Sequence, residues 1–298
     1  MTPHPTEPHV RGTARDGSAL PRGPRTSFGA RLHAAIADRG PFCVGIDPHA
    51  ALLLDWGLGD DVASLEEFAL GVVDAVAPHV SMVKPQSAFY ERFGSAGIAV
   101  LEKVVRESRA AGALVLLDVK RGDIGSTSQA YADAYLDQSS PLAVDAITAS
   151  PFLGFGSITP MIDTARKHDA GVFVLALTSN KEGVEVQGAT TDGTTVGGRM
   201  IEHLRELNAG AAPLGSFGAV IGATIPDTGL DLDFNGPILA PGYGAQGGTT
   251  ADIARIFGAA ARHVAPSSSR EVLRAGPDPA AMRDAVARAN DELRGLAE

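Results

Sequence analysis

The stretch Leu114-Val115-Leu116-Leu117-Asp118-Val119-Lys120-Arg121-Gly122-Asp123-Ile124-Gly125-Ser126-Thr127-Ser128 begins as an unbroken apolar run and ends in two carboxylates and a lysine. An apolar run of this length, closed by glycines and polar residues, reads as a strand buried on both faces. Side chains alternate along a strand, so Asp118 and Lys120 share one face while Val119 turns to the other. The charges follow directly on the scaffold, where a strand emerges at an open mouth, and Asp123 comes next on the loop. A simple strand-terminal ion pair has the same ingredients, and exposed pairs contribute little. The choice between the two turns on how the other strands end.

Outward from this stretch, short β-like runs alternate with amphipathic stretches from Phe28 onward. Strands are expected over residues 42–47, 81–84, 113–120, 143–148, 172–178, 218–222, 237–240 and 262–265, and helices over 28–38, 65–76, 96–110, 128–138, 158–167, 196–208, 251–257 and 279–296. Eight strands with helices between them predict an α/β fold, a closed (β/α)8 TIM barrel rather than an open doubly wound sheet. The lack of a GxGxxG motif after the first strand agrees. Residues 1–25 carry Pro3, Pro5, Pro8, Pro21 and Pro24 among polar neighbours without apolar periodicity, and read as a disordered N-terminal extension. Residues 26–298 are then a single catalytic barrel, with a Gly/Thr-rich loop over 183–195.

A length of 298 residues suits one barrel, and 44% hydrophobic content supports a large core. No run approaches the roughly 18 apolar residues of a membrane span, and no secretory signal is visible, so no membrane partner and a cytoplasmic location are expected. A formal charge of -10 argues against a nucleic-acid surface while leaving room for a local cationic pocket. Cys43 is the one cysteine; it lies in the apolar run Phe42-Cys43-Val44-Gly45-Ile46, which suggests packing and excludes multi-cysteine metal sites. Neither Met161, His168 nor the other histidines show HExxH-like metal spacing.

In such a barrel reactive groups sit at the C-terminal ends of strands. The first strand ends in Asp47 (GIDPH), the second in Lys84 (MVKPQ), and the third in Asp118 and Lys120. Unpaired charges at three consecutive, partly buried strand ends are unfavourable, whereas an array of alternating sign neutralises itself. After the seventh strand comes Pro241-Gly242-Tyr243-Gly244-Ala245-Gln246-Gly247-Gly248, whose glycines let backbone N–H groups approach an anion, at the place where barrels commonly bind phosphate. The eighth strand leads to Ser269-Arg270, a guanidinium suited to clamping a dianion beside the Ser269 N–H. The fifth ends in Thr178-Ser179-Asn180, where a turn-forming serine and a ligand-reading one look alike.

The D-x-K-x-x-D run, the D-I-x-x-T pattern through Asp123, Ile124 and Thr127, and the PGxGAQGG stretch together resemble the orotidine 5'-phosphate decarboxylase superfamily, over most of the chain from about Phe28. GIDPH and NKEG are similar to its longer bacterial subgroup. The resemblance implies cofactor-free, metal-free decarboxylation of orotidine 5'-monophosphate to uridine 5'-monophosphate in de novo pyrimidine biosynthesis. It assigns ribose binding to Asp47, ribose contact and orientation of the carboxylates to Lys84, the place facing the substrate carboxylate to Asp118, and proton donation to Lys120. It further implies that Gln246 bonds the phosphate within a substrate-binding stretch that includes Pro241, with Ser269 and Arg270 opposite, and that Ser179, with Asn180 next to it, reads the pyrimidine. The family's active unit is a dimer in which Asp123 reaches the neighbouring subunit's site, so a homodimer with Asp123 and Thr127 contributed across the interface is expected. Many members carry Gly-Arg where this chain has Ser269-Arg270. Relatives such as hexulose-phosphate synthases share the D-x-K-x-x-D run but hold Mg2+ through a carboxylate at the second strand, where this chain has Lys84. A Schiff-base aldolase using Lys84 or Lys120, and a non-catalytic phosphate-binding barrel, are the remaining alternatives.

Overall fold

Eight parallel strands, Cys43–Ile46, Met82–Pro85, Leu114–Arg121, Ala146–Ala149, Gly171–Leu177, Phe217–Ile221, Ile238–Pro241 and Val264–Ser268, follow one another around a closed barrel. The first pairs with both the second and the eighth, Cys43 opposite Met82 and Ser267. The computed structural model describes residues 26–296; the extension expected over 1–25 lies outside the described residues, as do 297 and 298.

The strands are buried throughout most of their length because one face fills the barrel and the other packs against helices. Leu114 and Leu116 point inward with Cys43, Met82, Phe173, Val220 and Leu239. Val115, Leu117 and Val119 point outward into the layer shared with the helices. Inward positions therefore run 43–45–47, 82–84–86, 114–116–118 and 146–148 on the first four strands, which carries the alternation directly to Asp47, Lys84 and Asp118 at the open end.

The opposite end is closed by helix Phe28–Arg39, capped by Ser27. Its Phe28 ring sits edge-on against Phe173 at 5.9 Å, and Gly171 makes room: a Cβ there would lie 2.4 Å from the ring. Beside it, buried Asp145 accepts hydrogen bonds from the Val115 N–H at 3.0 Å and from Arg31 at 2.5 Å, with Arg109 at 3.6 Å. The fourth strand begins at Ala146, three residues later than the apolar pattern suggests, directly after this carboxylate.

The segment 183–195 departs from the loop expected there. Gly183–Gln187 is a short helix, and Thr190–Thr191 pairs antiparallel with Thr194–Thr195. Asp192 and Gly193 both take positive φ, 50° and 82°, the geometry of a two-residue hairpin turn that Asp-Gly favours. Short helices also follow the first, second and eighth strands, at Ala50–Asp55, Ala88–Glu91 and Arg270–Leu273, each too brief to show periodicity.

Candidate active site

The ends of the first three strands bring four charges together. Lys84 Nζ lies 3.6 Å from Asp47 Oδ1 and 3.4 Å from Asp118 Oδ2. Lys120 Nζ lies 2.7 Å from each oxygen of Asp118. Asp118 and Lys84 are buried, while Lys120 keeps 45% of its side chain exposed. Burial alone pushes the Asp118 carboxyl up, but the Lys84 and Lys120 ammoniums outweigh it and hold it below the usual carboxylate range. Burial likewise works against the Lys84 ammonium, and Asp47 and Asp118 reverse the balance, raising it above its ordinary value. Asp118 and Lys84 are thus ionised at neutral pH inside the protein, a fixed charge pair at the end of a barrel. Cys43, two inward positions before Asp47 on the first strand, is driven up to about 12 by burial and stays a neutral packed thiol.

The shared face of Asp118 and Lys120 is reached differently from the expected pleat. The third strand is irregular between Leu117 and Arg121, and Lys120 adopts φ 44°. The side chain meets Asp118 because the backbone turns there, not because a regular strand continues.

These four residues line a cavity of about 340 Å3 whose inner wall is Leu175, Val220 and Leu239; small-molecule sites typically occupy roughly 300–1,000 Å3. Ser179, Pro241, Gln246 and Ser269 line it as well, so eight of the expected residues converge. Asp47 Oδ1 and Ser269 Oγ are buried with no hydrogen-bond partner, which marks them as groups a ligand can satisfy. Arg270 is exposed at the start of its short helix and does not line the cavity. Asp123 is half-buried and Thr127 exposed, both outside the cavity wall. Gln86, Thr178, Ser267 and Ser268 line it without having been expected. Gln86 shares Lys84's inward parity two residues on, the signal that would have found it.

The Gly-rich stretch forms the rim. Gly242 and Gly244 take φ 101° and 67°, which side-chain-bearing residues avoid, and fold Gln246 back over Gly242. Tyr243 anchors the turn, its hydroxyl donating to Glu292 at 2.8 Å and its ring against Phe42. A larger groove, about 680 Å3, lies at the opposite end of the barrel beside helix Phe28–Arg39. Two of its arginines, Arg262 and Arg294, are hydrogen-bonded to Asp233 and Asp291, and it holds no array comparable to the one above.

Residues 40–285 match the family model described as "Orotidine 5'-phosphate decarboxylase / HUMPS family". The orotidine 5'-phosphate decarboxylase of a Nocardioides species is 74% identical over 271 residues, covering 90% of this chain and 98% of the relative. That of Streptomyces coelicolor is 61% identical, covering 90% and 97%. Among solved structures, a Streptomyces avermitilis protein at 58% identity superposes with a TM-score of 0.89 over 96% of this chain and 99% of its own. The Leishmania donovani OMP decarboxylase, 30% identical, gives 0.73 over 91% and 99%. Matched by the family model over residues 40–285 and similar along nearly the whole length of these relatives, the chain belongs to the orotidine 5'-phosphate decarboxylase / HUMPS family.

Proposed function

We propose that the chain decarboxylates orotidine 5'-monophosphate to uridine 5'-monophosphate, a step of pyrimidine biosynthesis, with Lys120 as the proton donor. The observation that carries this reading is the Lys120 ammonium held 2.7 Å from both oxygens of Asp118, at the mouth of a cavity with a Gly-rich rim opposite. The C6–carboxyl bond breaks, CO2 leaves, and the electron pair stays on C6. Lys120 stabilises that carbanion by its charge and gives it a proton, and the amine recovers a proton from water. Asp118 stands beside the departing carboxylate and loses that like-charged neighbour as CO2 leaves. Asp47 and Lys84 bind the ribose, Ser179 the base, and Gln246 with the Ser269 N–H the phosphate, which Arg270, exposed beside Ser269, reaches from outside the cavity wall; binding energy from that remote group positions the ring.

Lys84 favours the metal-free branch of the family. Its ammonium already lies within 3.6 Å of Asp47 and Asp118, and would repel a divalent cation offered to the same carboxylates. The test is loss of orotidine 5'-monophosphate absorbance with purified protein in EDTA. Turnover is expected; activity confined to a sugar phosphate with Mg2+ restored would overturn the reading.

Gln246→Ala is expected to raise KM for this substrate about 10- to 100-fold with a smaller change in kcat, the usual worth of a hydrogen bond to a charged group. Steady-state kinetics check it, and an unchanged KM would remove Gln246 from the phosphate site.

The active unit of this proposal is a homodimer in which Asp123 and Thr127 serve the neighbouring site. Ile124, Phe152 and Leu153 are 63%, 74% and 54% exposed on two loops that touch where Gly122 meets Ser150, so Asp123 borders an apolar patch. Phe152→Asp is expected to convert a dimer to a monomer in sedimentation analysis at micromolar concentration, with activity falling in parallel; a monomeric, active wild type would defeat the proposal. Among the described residues no helix is long and apolar enough to cross a membrane, which is consistent with the cytoplasmic location proposed for this activity.

A further inference from the structure

Among the described residues, four other than glycine take a positive φ: Asp169, Asp192, Asn235 and Lys120. Asp and Asn visit this region readily because their short side chains bond locally, whereas a lysine there is strained by about 1–3 kcal/mol unless its surroundings hold it. Lys120 also falls where the third strand loses its register with the fourth, pairing resuming only at Arg121 opposite Ala149. Its N–H is therefore without a ladder carbonyl, and it donates instead to Thr148 Oγ1 at 2.9 Å.

Thr148 is completely buried on the fourth strand, at the inward position after Ala146. Its hydroxyl makes a second hydrogen bond, to Asp118 Oδ1 at 2.8 Å. The polarity of both bonds is forced. A backbone N–H can only donate, so the hydroxyl accepts from Lys120; its single proton then goes to Asp118, which as a carboxylate only accepts. One buried oxygen thus ties the backbone of the lysine to the side chain of the aspartate whose two oxygens the same lysine's Nζ bonds.

We infer that Thr148 is a positioning residue for the charge array: its hydroxyl holds the turned backbone of Lys120 and one oxygen of Asp118 together, so that the ammonium is aimed at the reacting carbon before substrate arrives. The inference rests on the decarboxylase reading for what the array does, and on hydrogen bonds alone for how it is held. Thr148 is fully buried and does not line the cavity, so it touches no substrate and acts through Lys120 and Asp118. A valine at this position has the same shape and keeps neither bond. The Lys120 N–H would then lose its partner, and one lone pair of the buried Asp118 would be left unpaired.

The experiment compares Thr148→Val and Thr148→Ser with wild type in steady-state kinetics and in amide hydrogen exchange over residues 118–123. Thr148→Val is expected to lower kcat about 10- to 100-fold, the worth of a hydrogen bond to a charged group, with KM within about threefold. Exchange over 118–123 should quicken at least about tenfold in the same variant, since an opening of about 1.4 kcal/mol lower cost multiplies exchange by ten. Thr148→Ser restores the hydroxyl and is expected to keep kcat and exchange within about threefold of wild type. A Thr148→Val enzyme with wild-type kcat would overturn the inference, as would a serine variant that loses as much as the valine, or a loss of kcat with unchanged exchange. A wild type that shows no orotidine 5'-monophosphate turnover, with exchange still quickened by the valine, defeats the decarboxylase reading and leaves the clamp standing.

Discussion

Lys120→Ala is expected to lower kcat/KM for orotidine 5'-monophosphate by at least about 10^4-fold, because proton transfer by a positioned acid is worth about 10^2–10^4 and electrostatic stabilisation of developing charge a further 10^2–10^3. The fold should survive the change. Lys120 is nearly half exposed, and Asp118 retains Lys84 at 3.4 Å and Thr148 at 2.8 Å, so no buried carboxylate is abandoned. Alanine inherits the φ of 44°, so relief of backbone strain does not confuse the comparison. Lys120→Arg separates the two functions of the ammonium: it keeps a positive charge, but a guanidinium does not release its proton near neutral pH, and its planar fork does not fit the space of a compact ammonium. Activity is therefore expected to stay near the alanine level. Absorbance assays in EDTA, with circular dichroism to verify folding, decide the matter; an alanine variant within tenfold of wild type would show that the proton comes from elsewhere.

The second large effect is on stability, at the closed end of the barrel. Asp145→Ala is expected to lower the free energy of unfolding by about 3 kcal/mol. Asp145 is buried and has partners on three elements: it accepts from Arg31 on helix Phe28–Arg39 and from the Val115 N–H on the third strand, and pairs ionically with Arg109 on helix Gly94–Ala110. Arg31 and Arg109 are 25% and 29% exposed and regain water when the carboxylate goes, so the pairs contribute less than fully buried ones. The Val115 N–H has no such recourse, and an unsatisfied buried donor costs about 1–3 kcal/mol by itself. In a chain of this size the total corresponds to a fall in Tm of roughly 5 °C. Asp145→Asn keeps an acceptor for the Val115 N–H while removing the charge, and about half the loss is expected. Thermal unfolding of the two variants within about 1 °C of wild type would mean that the helix-to-strand clamp contributes nothing.

Both predictions depend on features of different legibility. Strand existence and type were readable because a strand buried on both faces is a continuous apolar run, and in a barrel every strand is of that kind. The column 114–116–118 could be followed by eye from buried leucine to catalytic candidate, and the same alternation leads to Asp47 and Lys84. The Gly-rich rim was readable because positive φ at Gly242 and Gly244 requires glycine. The hairpin at Asp192-Gly193 was missed although its turn residues are the favoured ones, since threonines around a glycine read as loop when no apolar alternation flanks them.

The eight-strand alternation, the strand ends that carry charge and the position of the Gly-rich rim are legible in residue order alone, because each is a local consequence of period, polarity or backbone freedom. How those pieces meet is set by the closed barrel. That Thr148 holds Lys120 to Asp118, that Asp145 locks Arg31 and Arg109 to the third strand, that Arg270 stays outside the cavity: none of these has a local signal. A threonine or aspartate at a strand end looks the same whether it faces water or a neighbour. Which it faces is set by the closure of the barrel, which brings residues about 30 positions apart within hydrogen-bond distance and withdraws them from water together.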